Sequence, residues 1–306
     1  MLPRAHYNPD RDIPDLSGKV FFITGGTAGL GRQAVLNLCK HNPKHIYFTG
    51  RNTANASSLI SEIEAISPSK ITFLNCDQSS LTSVSQAAKH FLVNEDRLDV
   101  LICNAGVMAL PPSLTKDGYE AQFGINHVGH ALFIKHLLPI LEQTSQQHAE
   151  ARIVSLASLG ASHTTPGGIA FESLRTSQDF FGMTAKWMRY GQSKLANILY
   201  ASELAMRYPS LTVVSLEPGT VWTGLISNLG WFDRLFIWLV TWWKTIDLHE
   251  GAYNTCWAAT IAEKEIESGS MYQPVGDLVP ASGYMKDEDL AGKLWEWTEE
   301  QLKPYE

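Results

Sequence analysis

Cysteine is scarce in this sequence of 306 residues, with four in all and no C-x-x-C pair. Three of the four lie in or beside apolar segments. A disulfide framework or a cysteine metal site is therefore not expected, and we interpret these residues as small buried hydrophobes in a reducing compartment. The four are Cys39, Cys76, Cys103 and Cys256.

Long apolar runs are lacking as well. The segment up to Lys19 contains none, so no secretory signal is expected. The longest apolar block, at 235–243, falls well short of the roughly 20 residues that cross a bilayer. Both absences favour a soluble, cytoplasmic protein.

Positive charge is also in deficit. The chain has 24 Lys and Arg against 31 Asp and Glu, a formal net charge of -7, and no Lys/Arg run. No nucleic-acid partner is therefore expected. Hydrophobic residues make up 44% of the chain, enough for a large core, and no repeat or low-complexity linker divides it. We predict a single domain at 19–306, preceded by an N-terminal arm at 1–18.

What is present is a steady alternation of strand-like and helix-like segments. Apolar runs predict strands at 19–24, 45–49, 71–76, 98–104, 152–158, 212–218 and 270–274. Helical spacing predicts helices at about 29–40, 53–66, 80–93, 118 to the 140s, 190–207 and 287–302. Strands that are apolar on both faces, each followed by a helix, indicate an α/β fold with a Rossmann-type, doubly wound parallel sheet and helices on both faces. Such a sheet binds ligands at the carboxyl ends of its strands.

The first predicted strand runs into a glycine-rich turn, T-G-G-T-A-G-L-G, at 24–31. A strand, such a turn and a helix start bring backbone N–H groups and the helix dipole to an anion, which predicts a site for a nucleotide diphosphate. Glycines in tight turns also serve geometry alone, which is the competing interpretation. The residues expected to contact the nucleotide are Gly25, Thr27, Gly29, Leu30 and Gly31.

The second strand end bears on the choice of nucleotide. Where NAD enzymes place a carboxylate for the ribose 2′-hydroxyl, this chain has Gly50, followed by Arg51 and Asn52. A guanidinium can hold a 2′-phosphate with two hydrogen bonds, whereas a carboxylate would repel it. We therefore expect Arg51 and Asn52 to contact NADP(H). The alternative is that Arg51 is an ordinary solvated loop residue.

Tyr190 and Lys194 form the one Y-x-x-x-K in the chain. Residues four apart share a helix face, so both side chains can point at one site. Reduction of a carbonyl needs a hydride and a proton, and a nearby ammonium favours the phenolate and should move the tyrosine pKa from about 10 toward neutrality. Tyr190 is therefore the predicted acid–base residue. The competing interpretation is a surface tyrosine and lysine without a role.

Four motifs occur in a fixed order along the chain: the glycine turn, Asn104-Ala105-Gly106, Y-x-x-x-K and Pro218-Gly219. Together they resemble the short-chain dehydrogenase/reductase family, in particular its retinol-dehydrogenase-like members, over about residues 18 to 224. The resemblance implies that Lys194 also hydrogen-bonds the nicotinamide ribose. Further cofactor contacts that it implies are Asp77, Gln78, Asn104, Ala105, Gly106, Pro218, Gly219, Val221 and Thr223. Asp77 is equally suited to cap the following helix.

The resemblance also implies two more catalytic residues. Ser158 aligns with the serine that hydrogen-bonds the substrate oxygen, with Ser155 as a rival for the role. Asn126 aligns with the asparagine that holds a water linking Lys194 to solvent. His127 and His130 lie close by, but a helical pair without further ligands is usually structural, so no metal is expected.

The segment after the sixth strand, at about 222–246, is rich in tryptophan. It aligns with the family's substrate flap, and its aromatic content predicts a large, apolar substrate. Packing within the protein or in a dimer, and contact with a membrane surface, are less favoured alternatives. Its aromatic residues between Leu225 and Trp243 are Trp231, Phe232, Phe236, Trp238, Trp242 and Trp243.

The predicted function is an NADP(H)-dependent oxidoreductase that interconverts a carbonyl and an alcohol on a lipophilic small molecule. The alternative is a non-redox protein of the same fold, such as a cofactor-sensing regulator or a cyclase-like catalyst. A membrane scaffold would leave the catalytic set unexplained. The sequence leaves open whether the protein is a monomer or a homo-oligomer.

Overall fold

The computed structural model describes residues 7–221 and 245–305. Its strands are β1 (Val20–Ile23), β2 (His45–Gly50), β3 (Lys70–Asn75), β4 (Val100–Cys103), β5 (Arg152–Leu156), β6 (Thr212–Leu216), β7 (Thr220–Val221), β8 (Thr245–Ile246), β9 (Met271–Gln273) and β10 (Asp277–Leu278). Over these residues, eight strands form one sheet in the order β10-β9-β6-β5-β4-β1-β2-β3, and β7 pairs with β8.

The large sheet is parallel except at one edge, where β10 runs antiparallel to β9. Strand order reverses between β1 and β4, with Phe22 opposite Leu101. In a doubly wound sheet, a crevice opens at such a reversal, at the carboxyl ends of the strands. The predicted Rossmann-type fold is confirmed.

The helices are α1 (Pro9–Asp12), α2 (Gly29–Cys39), α3 (Thr53–Glu64), α4 (Leu81–Asn94), α5 (Ala121–Phe123), α6 (Gly129–His148), α7 (Ala185–Arg207), α8 (Leu248–Gly251), α9 (Tyr253–Thr260) and α10 (Glu288–Leu302). Short 3-10 turns join several of them, including one at Leu159–Ser162. A π-helical segment, Gly124–Val128, connects α5 to α6.

Two apolar layers enclose the sheet, and β1 shows how one strand serves both. Successive side chains of a strand point to opposite faces. Phe22 accordingly packs in one layer against Phe91 and Phe133, while Phe21 and Ile23 lie in the other. All four residues of β1 are fully buried. The four cysteines are likewise buried and free, as expected from the sequence.

Three details differ from the sequence-based expectations. Helix α7 begins at Ala185 rather than at Tyr190, because the residues before the tyrosine are good helix formers. The helix expected from 118 onward is interrupted by the π-helical segment. Ile13 and Leu16, which the sequence places in a polar arm, are buried in the apolar layer that contains Phe21.

The predicted flap at about 222–246 lies outside the described residues except for its last two positions. Within residues 7–221 and 245–305, no helix combines the length and the apolar character needed to cross a membrane.

Candidate active site

A cleft of about 830 Å³ opens at the carboxyl ends of the central strands. It brings together residues from the glycine turn, from the ends of β2 to β4 and from α7. The predicted site residues that line it are Gly25, Thr27, Gly29, Leu30, Arg51, Asp77, Gln78, Asn104, Ala105, Gly106, Tyr190, Lys194 and Pro218.

The glycine turn is shaped for close backbone approach. Gly25 and Gly29 have φ angles of +68° and +58°, which side-chain-bearing residues rarely adopt. Gly31 does not line the cleft but lies beneath the turn, where an added Cβ would come within 2.5 Å of the Gly25 carbonyl oxygen. These positions tolerate no side chain, so the main chain itself forms this wall of the cleft.

The start of α2 faces this turn without a side-chain cap. Its N-cap residue, Ala28, offers no acceptor, whereas α3 is capped by Asn52 and α4 by Ser80. The first N–H groups of a helix lack partners within the helix and carry partial positive charge. An uncapped start at the wall of a cleft fits a diphosphate, as the sequence predicts.

Arg51 lies at the end of β2 with its side chain exposed and lines the cleft. Asn52 does not line it, because its side-chain oxygen accepts a hydrogen bond from the Asn55 amide at 3.0 Å and caps α3. The expected contact of the Asn52 side chain with the nucleotide therefore competes with its role as a cap.

Asp77 and Gln78 each have protein partners at the cleft wall. Asp77 pairs with Lys116 at 2.8 Å and accepts from the hydroxyl of Ser79. The cap of the next helix is Ser80, so the alternative role expected of Asp77 is wrong. Gln78 donates its side-chain N–H to the carbonyl of Ile125 at 2.9 Å and so fastens the π-helical segment.

A buried hydrogen-bond chain holds the Asn104-Ala105-Gly106 turn. The hydroxyl of Thr24 accepts from the amides of Asn104 and Ala105, both at 2.9 Å, and lies 2.8 Å from His130 Nε2. His130 Nδ1 lies 2.8 Å from the carbonyl oxygen of Asn126, which can only accept. Burial lowers the pKa of His130 to about 4, so we assign the neutral ring its proton on Nδ1 and the Thr24 hydroxyl as donor to Nε2.

Asn126 is fully buried and positions the loop after β4. Its side chain accepts from the Val107 amide at 2.8 Å and donates to the Val107 carbonyl and to the Ser193 hydroxyl, both at 2.9 Å. Its main-chain carbonyl accepts from His130. A Cβ added at Gly106 would meet both Asn126 Oδ1 and Lys194 Nζ, so the three residues are neighbours.

Ser158 does not line the cleft itself but adjoins Tyr190, which does. Their side chains share a hydrogen bond, and the Ser158 hydroxyl also accepts from the Gly160 amide at 3.1 Å. The loop that follows Ser158 packs closely against α7 at Gly191, where an added Cβ would lie 2.2 Å from the His163 carbonyl oxygen. Ser155 instead lines a small separate cavity with His127 and His130. The geometry therefore favours Ser158 over its rival.

Lys194 is buried beneath Tyr190. Its ammonium donates to the Leu156 carbonyl at 2.8 Å and lies 5.8 Å from the centre of the Tyr190 ring. Burial lowers the pKa of Lys194 to about 8, against the opposing effect of Glu217.

The pKa of Tyr190 corrects one expectation. Burial raises it above the ordinary value and the charge of Glu217 raises it further, while the hydrogen bond with Ser158 lowers it. Lys194 is not among the groups that shift the pKa of Tyr190, and its ammonium donates to the Leu156 carbonyl instead. Tyr190 therefore carries its proton at neutral pH, as a proton donor must.

The turn after β6 contributes the last expected contacts. Gly219 has a φ of +88° and its amide donates to Glu217 at 3.2 Å, while Val221 is buried. Pro218 lines the cleft, but Gly219 and Val221 do not. Thr223 lies outside the described residues.

Two groups at the site are not predicted from the sequence. Glu217 stands out there only as a neighbour of the Pro-Gly motif, although a carboxylate at the end of an apolar strand is a visible signal. Arg189, directly before Tyr190, is 1% exposed and lies 3.2 Å from the buried carboxylate of Glu120. It also donates to the carbonyls of Gln178 and Leu110, and so links α7 to the cleft wall. Helical periodicity gives no indication that this arginine faces inward.

His127 and His130 have protein partners rather than a shared ligand. His127 Nε2 lies 2.9 Å from the Thr298 hydroxyl, and His130 bridges Thr24 and Asn126. In the part of the chain that the structure describes, no group of three or more His, Cys, Asp or Glu is arranged to hold a metal ion.

A doubly wound sheet with a cleft at the carboxyl ends of its strands is typical of nucleotide-binding proteins. The family model for short chain dehydrogenase matches residues 19–173. A short-chain dehydrogenase/reductase of Aspergillus calidoustus, drtF, is 33% identical over 310 residues, covering 96% of each chain. One from Armillaria gallica is 34% identical, over 99% of this chain and 96% of its own. The chain therefore belongs to the short-chain dehydrogenase/reductase family and is an oxidoreductase of that class.

A solved structure has a similar fold. An uncharacterised protein of Mycobacterium paratuberculosis is similar with a TM-score of 0.73 and 26% identity, over 96% of this chain and 97% of its own. The retinol-dehydrogenase-like subtype stays a prediction from the sequence.

Proposed function

We propose that this protein is an NADP(H)-dependent reductase of lipophilic carbonyl compounds that also runs in reverse, with Tyr190 as the acid–base residue. One observation carries the proposal: a single cleft unites the glycine turn, Arg51 and the Tyr190–Lys194 pair. Ser158 is bonded to that tyrosine. A cytoplasmic location and the oligomeric state stay predictions.

The preference for NADP(H) rests on the end of β2. The strand ends at Gly50 without a carboxylate, and the exposed Arg51 follows at the cleft wall. A guanidinium there favours a 2′-phosphate, and no acidic side chain at the strand end opposes it. The glycine turn and the uncapped start of α2 would hold the diphosphate.

The catalytic end supplies and receives a proton. When bound, the nicotinamide supplies the hydride for reduction and takes it up in oxidation. Ser158 and Tyr190 would both hydrogen-bond the substrate oxygen, and Tyr190 would give its proton to that oxygen as negative charge develops. Lys194 would stabilise the tyrosinate left behind and hold the ribose. Because the pKa of Tyr190 is raised, its resting state is the protonated form that reduction requires.

The preference for a lipophilic substrate is supported by the wall beyond Gly106. The residues there are mostly apolar, and they continue the cleft from the nucleotide end toward Tyr190. Such a wall favours an apolar ligand over a sugar or a charged metabolite. These residues are Val107, Met108, Ala109, Leu110 and Pro111, with Ile125 nearby.

A screen of lipophilic ketones and alcohols, followed by the near-ultraviolet absorbance of NADPH, tests the proposal. We expect NADPH to be consumed with a subset of ketones, and NADH to be used less well with the same compounds. Binding of NADPH without turnover of any carbonyl or alcohol would contradict the oxidoreductase proposal. Equal use of both nucleotides would contradict the cofactor preference alone.

A further inference from the structure

Glu217 lies at the junction of two loops of the site. It follows β6 directly and precedes Pro218 and Gly219. One carboxylate oxygen accepts from the Leu159 amide at 2.5 Å, and the other accepts from the Gly219 amide at 3.2 Å. Both oxygens act as acceptors, which is the pattern of an ionised carboxylate. One side chain therefore ties the loop after β5 to the turn after β6.

The first of these hydrogen bonds acts on the proposed catalytic serine. Leu159 is the residue after Ser158, and the Ser158 hydroxyl accepts from the next amide, that of Gly160, at 3.1 Å. Ser158 in turn bonds Tyr190. Two successive amides are thus fixed, one by Glu217 and one by the serine, which sets the direction of the serine hydroxyl.

The charge of Glu217 also reaches the pair on α7. It raises the pKa of both Tyr190 and Lys194. For Tyr190 this adds to the larger effect of burial, whereas for Lys194 it opposes that effect. The other elements packed around Glu217 contact its main chain: the carbonyl of Tyr272 on β9 accepts from its amide, and Asn254 on α9 donates to its carbonyl. The Tyr272 hydroxyl accepts from the Glu267 amide, so it is directed elsewhere.

We propose that Glu217 is a positioning residue for the reaction: its carboxylate orients Ser158 through the Leu159 amide. The inference rests on the proposed function, because it concerns the same site. Glu217 reaches that amide from the end of β6, the strand that pairs with β5.

Two variants of Glu217 test its hydrogen bond to the Leu159 amide. Glu217→Gln removes the charge and keeps the length, whereas Glu217→Asp keeps the charge but is one methylene too short to reach Leu159 in the same way. Glu265→Gln, at an exposed position, removes the same charge elsewhere and is the matched control. All three should show cooperative thermal unfolding, which confirms that they fold.

The positioning role is tested with the substrate that the screen identifies. We expect Glu217→Asp to lower kcat about 10-fold with little change in KM, the effect of losing one charge-assisted hydrogen bond. Full kcat in Glu217→Asp would overturn this role. Glu217→Gln, which keeps an acceptor of the same length, should lower kcat less than Glu217→Asp, and Glu265→Gln should leave kcat unchanged. If the parent enzyme transfers no hydride, the proposed function fails, whereas normal hydride transfer by the parent with full kcat in Glu217→Asp overturns the positioning role alone.

Discussion

The two ends of the cleft are built in opposite ways. At the β1–β2 end, the glycine turn presents main chain to the cleft, with glycines that leave no room for a side chain and a helix start that lacks a side-chain cap. At the α7 end, polar side chains form the site: Tyr190 bonds Ser158, and the buried Lys194 donates to the Leu156 carbonyl. The turn depends on the absence of side chains, and the α7 end on their identity. Substitutions should therefore impair nucleotide binding at one end and chemistry at the other.

Tyr190→Phe should show the largest effect and should affect chemistry alone. The change removes the hydroxyl that donates the proton but leaves the ring packed on α7. We expect kcat to fall about 1,000-fold, within the range for loss of a general acid, while NADPH affinity changes less than about threefold. Steady-state kinetics and fluorescence titration of NADPH provide the two values. A parallel loss of affinity would show that the two ends are not separable.

Arg51→Ala should affect binding of one nucleotide only. If the guanidinium holds the 2′-phosphate, its loss should weaken NADPH by about 10- to 100-fold, the effect of a hydrogen bond to a charged group, and leave NADH nearly unchanged. Arg11→Ala, at an exposed position on α1, is the matched control. Equal losses for NADPH and NADH would contradict a phosphate contact.

Gly31→Ala tests the requirement for bare main chain. The added Cβ would lie 2.4 Å from Asn104 Nδ2 and 2.5 Å from the Gly25 carbonyl oxygen, so the turn must shift. We expect the free energy of unfolding to fall by about 1–3 kcal/mol and nucleotide binding to weaken. Chemical denaturation measures the first effect.

Gly292→Ala is the control for that experiment. This glycine lies in α10, and a Cβ added there would meet no heavy atom within 4 Å. The same substitution should therefore stabilise the protein by about 0.5–1 kcal/mol, because alanine favours the helix over glycine. If both substitutions stabilise the protein, the turn is not as tightly packed as its geometry indicates.

The smallest expected effect is the loss of stability in acid that the buried residues His127 and His130 cause. Burial lowers the pKa of His127 to about 3 and of His130 to about 4, below the value in the unfolded chain. Their contribution to stability is therefore present above about pH 6.5 and is lost as pH falls through the folded values. Burial raises the pKa of Glu120 from 4.5 to about 6. Between these two pH values the folded protein binds this proton more readily than the unfolded chain, so Glu120 offsets part of the loss of stability.

We expect the free energy of unfolding to decrease below about pH 6.5. His127→Gln should reduce the slope of the free energy of unfolding against pH by about 1 kcal/mol per pH unit. Denaturant unfolding at several pH values measures both quantities. The same slope in the variant would show that His127 does not contribute to the acid sensitivity.

The sequence predicts the two ends of the cleft unequally. The glycine turn and the Y-x-x-x-K pair are local patterns, and the structure brings both to one cleft because parallel strands end at the same edge. Apolar spacing places the start of helix α7 at the motif, although helix propensity extends it back to Ala185. The flap and Thr223 lie outside the described residues, so their roles stay predictions.

The partners of the catalytic residues could not be predicted, since they come from distant segments. Glu217 reaches Leu159 across 58 positions, and Arg189 reaches the Leu110 carbonyl across 79. No local period links such residues, and only the packing of β5, β6 and α7 brings them together. The direction of the Tyr190 pKa is not predictable for the same reason, because it depends on burial and on Glu217.

A crystal structure of the NADPH complex would test most directly whether the nucleotide lies along this cleft with its nicotinamide at Tyr190. We predict the diphosphate at the turn formed by 25–31, the 2′-phosphate at Arg51 and the nicotinamide beside Tyr190 and Lys194. A nucleotide bound in the reverse direction, or a nicotinamide ring out of reach of the Tyr190 hydroxyl, would contradict the claim.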